Sequence, residues 1–316
     1  MKILIVFGIT LATGLFLIKI ISLYFTFILL PIKKYSTKFT IEDGLKKSEF
    51  TEDELEKDKV DFSFVSRFGY IIKGQIFINN INKIVIFSHG VTWTLYGMYK
   101  YMIPFLQRDF TCVLIDSKGH GQSSGGFPAY GYYEKYDLYD CYQYLLSFLG
   151  SKFKDFNPSV GLFGESMGAA ITLQALSLFT KNDRLDFCIL ESPFSDLERL
   201  CRLKLIKFFK TKFLANLVLE ISRFFIKILA KFDIKKIKPI DDANNSNIPI
   251  LLFHGENDNL VPFEMSKEIY EIRKNKSYTE FYIIKDADHT QGYMNEKEFY
   301  IDKIFTFIDK IVEKER

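Results

Sequence analysis

Residues 160–173 read Val-Gly-Leu-Phe-Gly-Glu-Ser-Met-Gly-Ala-Ala-Ile-Thr-Leu, and this stretch decides the fold. The apolar run Val160–Phe163 predicts a short buried strand, and the Ala- and Leu-containing run after Gly168 predicts a helix. The pattern Gly-x-Ser-x-Gly between them is typical of a tight strand-to-helix turn that exposes the hydroxyl of its serine, here Ser166. Glycines flank the serine because a Cβ atom would collide where strand and helix cross closely. The sequence therefore predicts Ser166 as a candidate nucleophile.

The rest of the 316-residue chain alternates short apolar runs with helical patterns. The predicted strands are Val60–Val65, Tyr70–Ile78, Ile84–Phe87, Thr111–Ile115, Val160–Phe163, Phe187–Leu190, Ile248–Phe253 and Glu280–Ile284. The predicted helices are Met98–Gln107, Tyr133–Phe148, Ser166–Phe179, Glu264–Arg273 and Glu296–Glu313. The first two strands read as an antiparallel hairpin, and the later strands are apolar throughout. This alternation predicts an α/β fold, with a mostly parallel sheet covered by helices on both faces.

Charge is unevenly distributed, although the net charge is only +3. Residues 197–238 contain 12 Lys and Arg against 3 Asp and Glu, and the first 40 residues contain five Lys and no acid. The main body is therefore acidic. The four cysteines form neither a CxxC motif nor a close cluster with histidines, which excludes a disulfide framework or a structural zinc site. We expect no metal, no cofactor and no nucleic-acid partner.

The N-terminal segment is long and apolar. Residues 3–30 are apolar or small and polar except for Lys19. As a helix they rise about 42 Å, more than the hydrocarbon core of about 30 Å. We predict an uncleaved single-pass membrane anchor over residues 1–32, with Lys19 near an interface. A cleaved signal peptide and a buried helix are the alternatives, but the apolar region is long for a signal and no small-residue cleavage site follows it.

The charges that flank the apolar segment bear on the side of the membrane. Lys33, Lys34 and Lys38 outnumber Lys2 and the α-amine on the other side of the apolar segment. The positive-inside rule therefore favours a cytoplasmic catalytic domain.

Three further segments complete the predicted organisation. Residues 33–59 are a charged connector, and residues 60–196 and 240–316 form the α/β core. More than 50 residues between the sixth and seventh predicted strands show no strand pattern, and residues 197–239 have a broadly amphipathic helical pattern rich in Phe and Lys. We interpret residues 197–239 as a helical cap, for which packing on the body and acting as a lid over Ser166 are compatible interpretations. Its basic face is a second candidate for membrane contact.

A serine nucleophile needs a base within hydrogen-bond reach, and that base needs an orienting acid. His289 follows the last predicted strand, and Asp258 follows the strand before it. Loops at the carboxyl ends of parallel strands gather at one edge of the sheet, so both should lie near Ser166. The order Ser, Asp, His is that of a nucleophile-elbow hydrolase. We predict His289 as the base and Asp258 as the acid. The alternative acids are Asp196, Asp286 and Asp288.

An oxyanion hole needs two backbone N–H donors. Met167, directly after the nucleophile, supplies the first. The loop after the third predicted strand supplies the second, from Val91 or, as an alternative, from Thr92. His120 lies in a tight turn and His254 closes a strand, and we expect both to have structural roles in binding turn backbone.

Five motifs in this order resemble those of α/β-hydrolase-fold serine hydrolases. They are His89-Gly90, Asp116-x-Lys118-Gly119-His120-Gly121-x-Ser123, Gly164-x-Ser166-x-Gly168, His254-Gly255-x-x-Asp258-x-x-Val261-Pro262 and His289. Over about residues 60–313 the chain more closely resembles bacterial membrane-anchored members of the serine-aminopeptidase-like and monoacylglycerol-lipase-like branch. Lys118 stands where arginine is more usual.

The resemblance implies an eight-stranded sheet whose first pairs are antiparallel and a cap inserted after the sixth strand. It also implies triad roles for Ser166, Asp258 and His289, and oxyanion-hole roles for Val91 and Met167.

The expected function is a membrane-tethered serine hydrolase that cleaves carboxylic esters of acyl or lipid substrates through an acyl-enzyme. A serine peptidase or aminopeptidase-like amide hydrolase stays open, since Glu165, Glu191 and Asp196 could bind a substrate amine. An acyltransferase and a non-catalytic membrane-anchored binding protein are further alternatives. Serine at position 166 excludes the aspartate-based mechanism of dehalogenases and epoxide hydrolases.

Overall fold

A computed structural model describes residues 2–31, 34–154 and 156–314, and the described residues form two compact units. The anchor–cap unit comprises the described parts of Met1–Ile32 and Asp196–Ile237. The sheet unit comprises the described parts of Lys33–Ser195 and Lys238–Arg316.

The sheet unit is built on eight strands. They are β1 (Val60–Val65), β2 (Ile71–Phe77), β3 (Asn80–Ser88), β4 (Phe110–Ile115), β5 (Ser159–Glu165), β6 (Leu185–Glu191), β7 (Ile250–Gly255) and β8 (Thr279–Ile284). Their order is β1-β2-β4-β3-β5-β6-β7-β8. β2 pairs antiparallel with β1 and with β4, and the remaining pairs are parallel. The mostly parallel eight-stranded sheet, with its first pairs antiparallel, is confirmed.

Helices follow the strands as the alternation predicts. The helices of the sheet unit that precede or follow its strands are α2 (Thr37–Lys46), α3 (Glu52–Leu55), α4 (Tyr99–Leu106), α5 (Glu134–Lys152), α6 (Met167–Ala175), α9 (Pro239–Asn245), α10 (Glu264–Arg273), α11 (Gly292–Asn295) and α12 (Lys297–Lys314). Every residue of β4 and of β7 is buried. These strands are apolar on both faces because both faces are covered. β5 lies between β3 and β6, so the residue that follows it, Ser166, lies at the middle of the sheet edge.

The charged connector contains structure that its sequence pattern did not predict. α2 begins after Ser36, whose side chain accepts a hydrogen bond from Phe39 N–H, and α3 begins after Thr51 with a capping box. Between them Phe50 is buried, with its ring centroid 5.2 Å from that of Tyr99. Capping residues and one buried aromatic side chain therefore fix this polar segment on the sheet unit.

The anchor–cap unit is helical. It contains α1 (Lys2–Leu29), α7 (Leu197–Phe209) and α8 (Lys212–Ala230), and a short 3₁₀ turn at Ile234–Lys236 follows. α7 and α8 come after the sixth strand, so the helical insertion predicted there is confirmed. Among the described residues, Ile5–Leu29 is the one helical segment long and apolar enough to cross a membrane, by length and composition.

Candidate active site

The nucleophile candidate lies on a tight turn between β5 and α6. Ser166 has φ +54° and ψ −112°, outside the ordinary regions for a non-glycine residue. The two flanking glycines are required by close approach. A Cβ atom on Gly164 would lie 2.5 Å from Ala169 Cα, and one on Gly168 would overlap the carbonyl of Ser88 in β3. The turn therefore forces the side chain of Ser166 out from the sheet edge, as in a nucleophile elbow.

His289 connects this serine to a carboxylate. Its Nε2 atom lies 2.8 Å from Ser166 Oγ, and its Nδ1 atom lies 2.6 Å from Asp258 Oδ2. The other oxygen of Asp258 accepts hydrogen bonds from the backbone N–H groups of Leu260 and Val261, at 2.8 and 2.7 Å. The structure thus brings the three predicted residues into one hydrogen-bonded chain. An imidazole that receives a proton from a serine hydroxyl is stabilised by a carboxylate held in this way.

Asp258 is nearly buried but is kept ionised by its donors. Burial alone would raise its pKa, but hydrogen bonds from His254 and His289 and from the Val261 N–H hold the pKa well below its usual value. His254 Nε2 lies 3.0 Å from Asp258 Oδ2 and 2.8 Å from the carbonyl of Val261, while its Nδ1 lies 2.6 Å from Ser266 Oγ. The expected contact of His254 with turn backbone is confirmed. Its contact with Asp258 was not expected, and it gives His254 a role in positioning that acid.

Two of the alternative acids accept other hydrogen bonds. Asp196 caps α7 by accepting the N–H of Arg199, and Asp288 accepts the N–H groups of Asn259 and His289. Among the described residues, Asp258 is the carboxylate that is hydrogen-bonded to the imidazole of His289.

The two backbone donors predicted for the oxyanion hole lie next to Ser166. Met167 is the first residue of α6, where backbone N–H groups have no acceptor within the helix. Val91 lines the same pocket as Ser166, and a Cβ atom on the preceding Gly90 would lie 3.6 Å from Ser166 Cβ. Thr92 N–H already donates to His120 Nε2 at 3.1 Å. The geometry therefore favours Val91 over Thr92.

His120 supports this loop. Its Nδ1 atom lies 3.0 Å from the carbonyl of Lys118, and its Nε2 atom accepts from Thr92. The expected structural role of His120 in binding turn backbone is confirmed. His89 makes a similar contact, since its Nε2 atom accepts from Ser117 N–H at 2.9 Å.

A pocket of about 450 Å³ opens beside Ser166. Its lining residues are Lys47, Glu49, Gly90, Val91, Trp93, Lys100, Glu165, Ser166, Leu260, His289, Thr290, Gln291, Met294 and Asn295. All of them belong to the sheet unit. The lining combines aromatic and aliphatic surface with a few charged groups, as is typical of small-molecule sites.

A buried ion-pair cluster forms one wall of this pocket. Lys100 Nζ lies 3.2 Å from Glu165 Oε2 and 3.6 Å from Glu49 Oε1, and all three side chains are nearly buried. Tyr101 donates to Glu165 at 3.0 Å. Burial raises the pKa of Glu49, although Lys100 counteracts this. We did not predict Lys100 or Glu49. The available signal was a single lysine within the otherwise uncharged, apolar helix α4.

A further buried acid lies at the end of β6. Glu191 accepts a hydrogen bond from Tyr300 Oη at 2.6 Å, and burial raises its pKa to about 7. Its carboxylate is directed at this tyrosine, and Glu191 is not among the residues that line the pocket.

The residues that the structure describes contain no group of three or more His, Cys, Asp or Glu side chains arranged to hold a metal ion. The four cysteines are free and buried.

Comparison with known proteins agrees with this architecture. Residues 79–223 match the family described as Serine aminopeptidase, S33. Uncharacterized protein YqkD of Bacillus subtilis (strain 168) is 27% identical over 92% of this chain and 93% of its own length. Lysophosphatidylserine lipase ABHD12 of Danio rerio is 22% identical over 60% of this chain, but the match spans only 47% of that lipase.

Solved structures give the same fold. The esterase Pf2001 of Pyrococcus furiosus superposes with a TM-score of 0.65 at 23% identity, over 83% of this chain and 95% of the esterase. A similar sheet occurs in the esterase of Exiguobacterium antarcticum, with a TM-score of 0.55 at 17% identity, over 78% of this chain and 98% of that enzyme. Together with the sheet order, these matches show that the chain has an α/β-hydrolase fold, and its residues 79–223 are similar to the serine-aminopeptidase family.

Proposed function

We propose that the chain is a membrane-anchored serine hydrolase that cleaves carboxylic esters of acyl or lipid substrates through an acyl-enzyme. The observation that carries the proposal is the hydrogen-bonded chain from Ser166 Oγ through His289 to Asp258, at 2.8 and 2.6 Å. An α/β-hydrolase fold alone does not determine an activity. This chain of donors and acceptors supports one reaction class, acyl transfer to serine.

The proposed reaction has two halves. Ser166 Oγ attacks the acyl carbon while His289 Nε2 takes the hydroxyl proton, and Asp258 stabilises the resulting imidazolium. The N–H groups of Val91 and Met167 stabilise the negative charge on the acyl oxygen. The ester bond then breaks and the leaving alkoxide receives the proton from His289. Water, deprotonated by His289, attacks the acyl-enzyme and releases the acid and the serine hydroxyl.

The substrate class is proposed from the pocket and the relatives. The pocket beside Ser166 presents Trp93, Leu260 and Met294, which favours an apolar acyl group. One relative is described as a lysophosphatidylserine lipase and a similar structure as an esterase. We propose further that residues 1–32 are the anchor, residues 33–59 the connector, residues 60–196 and 240–316 the catalytic core, and residues 197–239 the cap.

The proposal is tested on the full-length chain in detergent with a fluorophosphonate probe and p-nitrophenyl esters of increasing chain length. We expect labelling and turnover in the wild type, and loss of both in Ser166→Ala. Ser63→Ala, at an exposed serine of the edge strand β1, is the matched control and should leave both unchanged. Absence of labelling and turnover in a folded wild-type protein would overturn the assignment.

A peptidase is the second candidate, because carboxylates of Glu49 and Glu165 line the pocket. Lys100 already pairs with both, so we place it second to the esterase. Amino acid p-nitroanilides added to the same assay separate the two, since only a peptidase turns them over faster than esters of matched size. An alcohol acceptor added to the ester assay identifies an acyltransferase by formation of a new ester.

A further inference from the structure

The C-terminal third of the N-terminal helix is docked on the cap hairpin, which we define as α7 and α8. Ser222 Oγ in α8 donates to the carbonyl of Ser22 at 2.8 Å, and Thr26 Oγ1 donates to the carbonyl of Ser222 at 3.4 Å. All three side chains are buried. The ring of Phe25 lies 5.4 Å from that of Phe208 and 6.0 Å from that of Phe209. Small hydroxyl residues at a close helix crossing are typical of helix pairs in membranes.

In the N-terminal two thirds of the same helix, most of the side chains that the structure describes are exposed. Its apolar side chains that are at least 49% exposed are Ile5, Val6, Phe7, Ile9, Leu15, Phe16, Leu17 and Ile20. From Lys2 to Ile21 the helix contains 20 residues. This length rises about 30 Å, the thickness of the hydrocarbon core. If residues 1–32 anchor the chain as proposed, the exposed part fits the bilayer and the docked part, from Ser22 onward, lies at its surface.

The end of the cap hairpin carries the side chains that suit such a surface. We define the hairpin tip as residues 207–213, Lys-Phe-Phe-Lys-Thr-Lys-Phe. Phe208 is 65% exposed and Phe213 is 76% exposed. Lys207, Lys210 and Lys212 alternate with them and are exposed as well. Residues 199–219 contain no Asp or Glu, so the positive charge of the tip is not balanced within the hairpin sequence around it.

The position of the hairpin tip and the chemistry of its side chains both suit a membrane surface. Phe208 contacts Phe25, which lies four residues beyond Ile21, so the tip is at the level where the anchor leaves the hydrocarbon. Aromatic rings favour the boundary between acyl chains and headgroups, and lysines bind the phosphates of anionic lipids there. Because Ser222 joins the hairpin to the anchor, the two elements have a fixed relation within the anchor–cap unit.

We propose that the hairpin tip is a second membrane contact, which inserts Phe208 and Phe213 into the interface of an anionic phospholipid leaflet with its lysines at the phosphates. The inference rests on the membrane anchor of the proposed function. It adds the place of a second contact, the class of lipid bound there and the depth to which the two rings insert. The anchor and the cap hairpin then bind the membrane as one unit.

The test places an NBD fluorophore on the full-length chain, reconstituted at one copy per nanodisc containing brominated lipids. The label on Lys212→Cys reports on the tip and retains both phenylalanines, and the label on Phe16→Cys reports on the anchor. The native cysteines are buried. In discs of phosphatidylcholine and phosphatidylglycerol, we expect quenching at position 212 to reach at least about half of that at position 16, since an interfacial ring lies above the acyl chains. Removing phosphatidylglycerol, or adding Phe213→Ser, should lower it to the level in unbrominated discs.

The outcomes separate the two proposals. Quenching at position 16 without quenching at position 212 overturns the tip contact and leaves the anchor standing. Absence of quenching at both positions overturns the anchor, and with it the tip contact. Shielding of the position 212 label that requires two copies per disc overturns the lipid assignment in favour of contact between copies. Equal quenching in discs without phosphatidylglycerol overturns the role given to the lysines.

Discussion

At the scale of single residues, Asp258 and Glu191 are two buried acids that have different protonation behaviour. Asp258 is held ionised by its hydrogen-bond donors, whereas the pKa of Glu191 is raised to about 7 by burial. Asp258 follows β7 and Glu191 is the last residue of β6, and the difference between their pKa values comes from the number of donors around each carboxylate. Glu191 is therefore one group through which we expect pH to affect the stability of the fold.

The first prediction concerns Glu191→Gln. Since folding raises this pKa, the protonated form favours the folded state, and its contribution is complete below the unfolded pKa of about 4.3 and lost as pH rises through 7. The amide of glutamine is neutral at every pH. We therefore expect the variant to gain stability relative to wild type between pH 5 and pH 8, by up to about 3 kcal/mol.

Thermal unfolding of the full-length chain in detergent, at pH 5 and at pH 8, measures this gain. Glu56→Gln, at an exposed glutamate, is the control and should show no such change. An equal difference between Glu191→Gln and wild type at the two pH values would contradict the assignment.

The second prediction concerns Lys100. Its ammonium group separates Glu49 from Glu165, so Lys100→Met leaves two carboxylates without their buried counter-charge. We expect the variant to lose about 3 kcal/mol of stability, in the range for removing one partner of a buried ion pair. The double variant Lys100→Met/Glu165→Gln should recover part of that loss. Equal melting temperatures for the single and double variants would show that the carboxylates do not repel each other there.

At the scale of elements, the crossing of β5, α6 and β3 determines where the nucleophile stands. The third prediction is that Gly168→Ala abolishes labelling by the fluorophosphonate probe and lowers the melting temperature, because the new methyl group overlaps the carbonyl of Ser88. Gly150→Ala, within α5, is the matched control. Its Cβ atom would lie 3.3 Å from one carbon of Phe156, so the variant should retain activity. Probe labelling and thermal unfolding of both variants test this prediction, and wild-type labelling of Gly168→Ala would contradict it.

The strands and helices differ in how well the sequence predicts them. Most of the later strands were predictable because each contains a continuous apolar run, and Asp258 and His289 could be placed near Ser166 because parallel strands end at one edge. α2 and α3 were not predicted, since both are rich in charged residues and the buried Phe50 between them is a single apolar residue without a periodic pattern. The same limit applies to the Lys100 cluster, whose partners are distant in the chain and carry no local pattern.

Docking of the N-terminal helix on α8 was also beyond sequence reasoning. Ser22, Thr26 and Ser222 are ordinary residues in two long apolar helices, and a hydroxyl that bonds within its own helix has the same local pattern as one that bonds to a neighbour. Only the three-dimensional arrangement distinguishes the two.

At the scale of the whole molecule, the fourth prediction is the side of the membrane on which the sheet unit lies. Lys33, Lys34 and Lys38 follow the apolar segment, so we expect the sheet unit to be cytoplasmic. Protease added to intact cells should spare the unit, and protease added after permeabilisation should digest it. Digestion in intact cells would place the unit on the opposite side. Lys33→Gln/Lys38→Gln reduces the charge bias and should yield a mixture of orientations.

The hydrogen bond from Thr92 to His120 has a consequence for acid tolerance. To accept this bond, the His120 ring must be the neutral tautomer with its proton on Nδ1, directed at the carbonyl of Lys118. Burial lowers the pKa of His120 well below its usual value, so this tautomer persists at acidities that protonate an ordinary histidine. The proposed oxyanion loop around Val91 is thus held by an imidazole that does not titrate in the physiological range, and we expect this loop to keep its structure in mildly acidic solution.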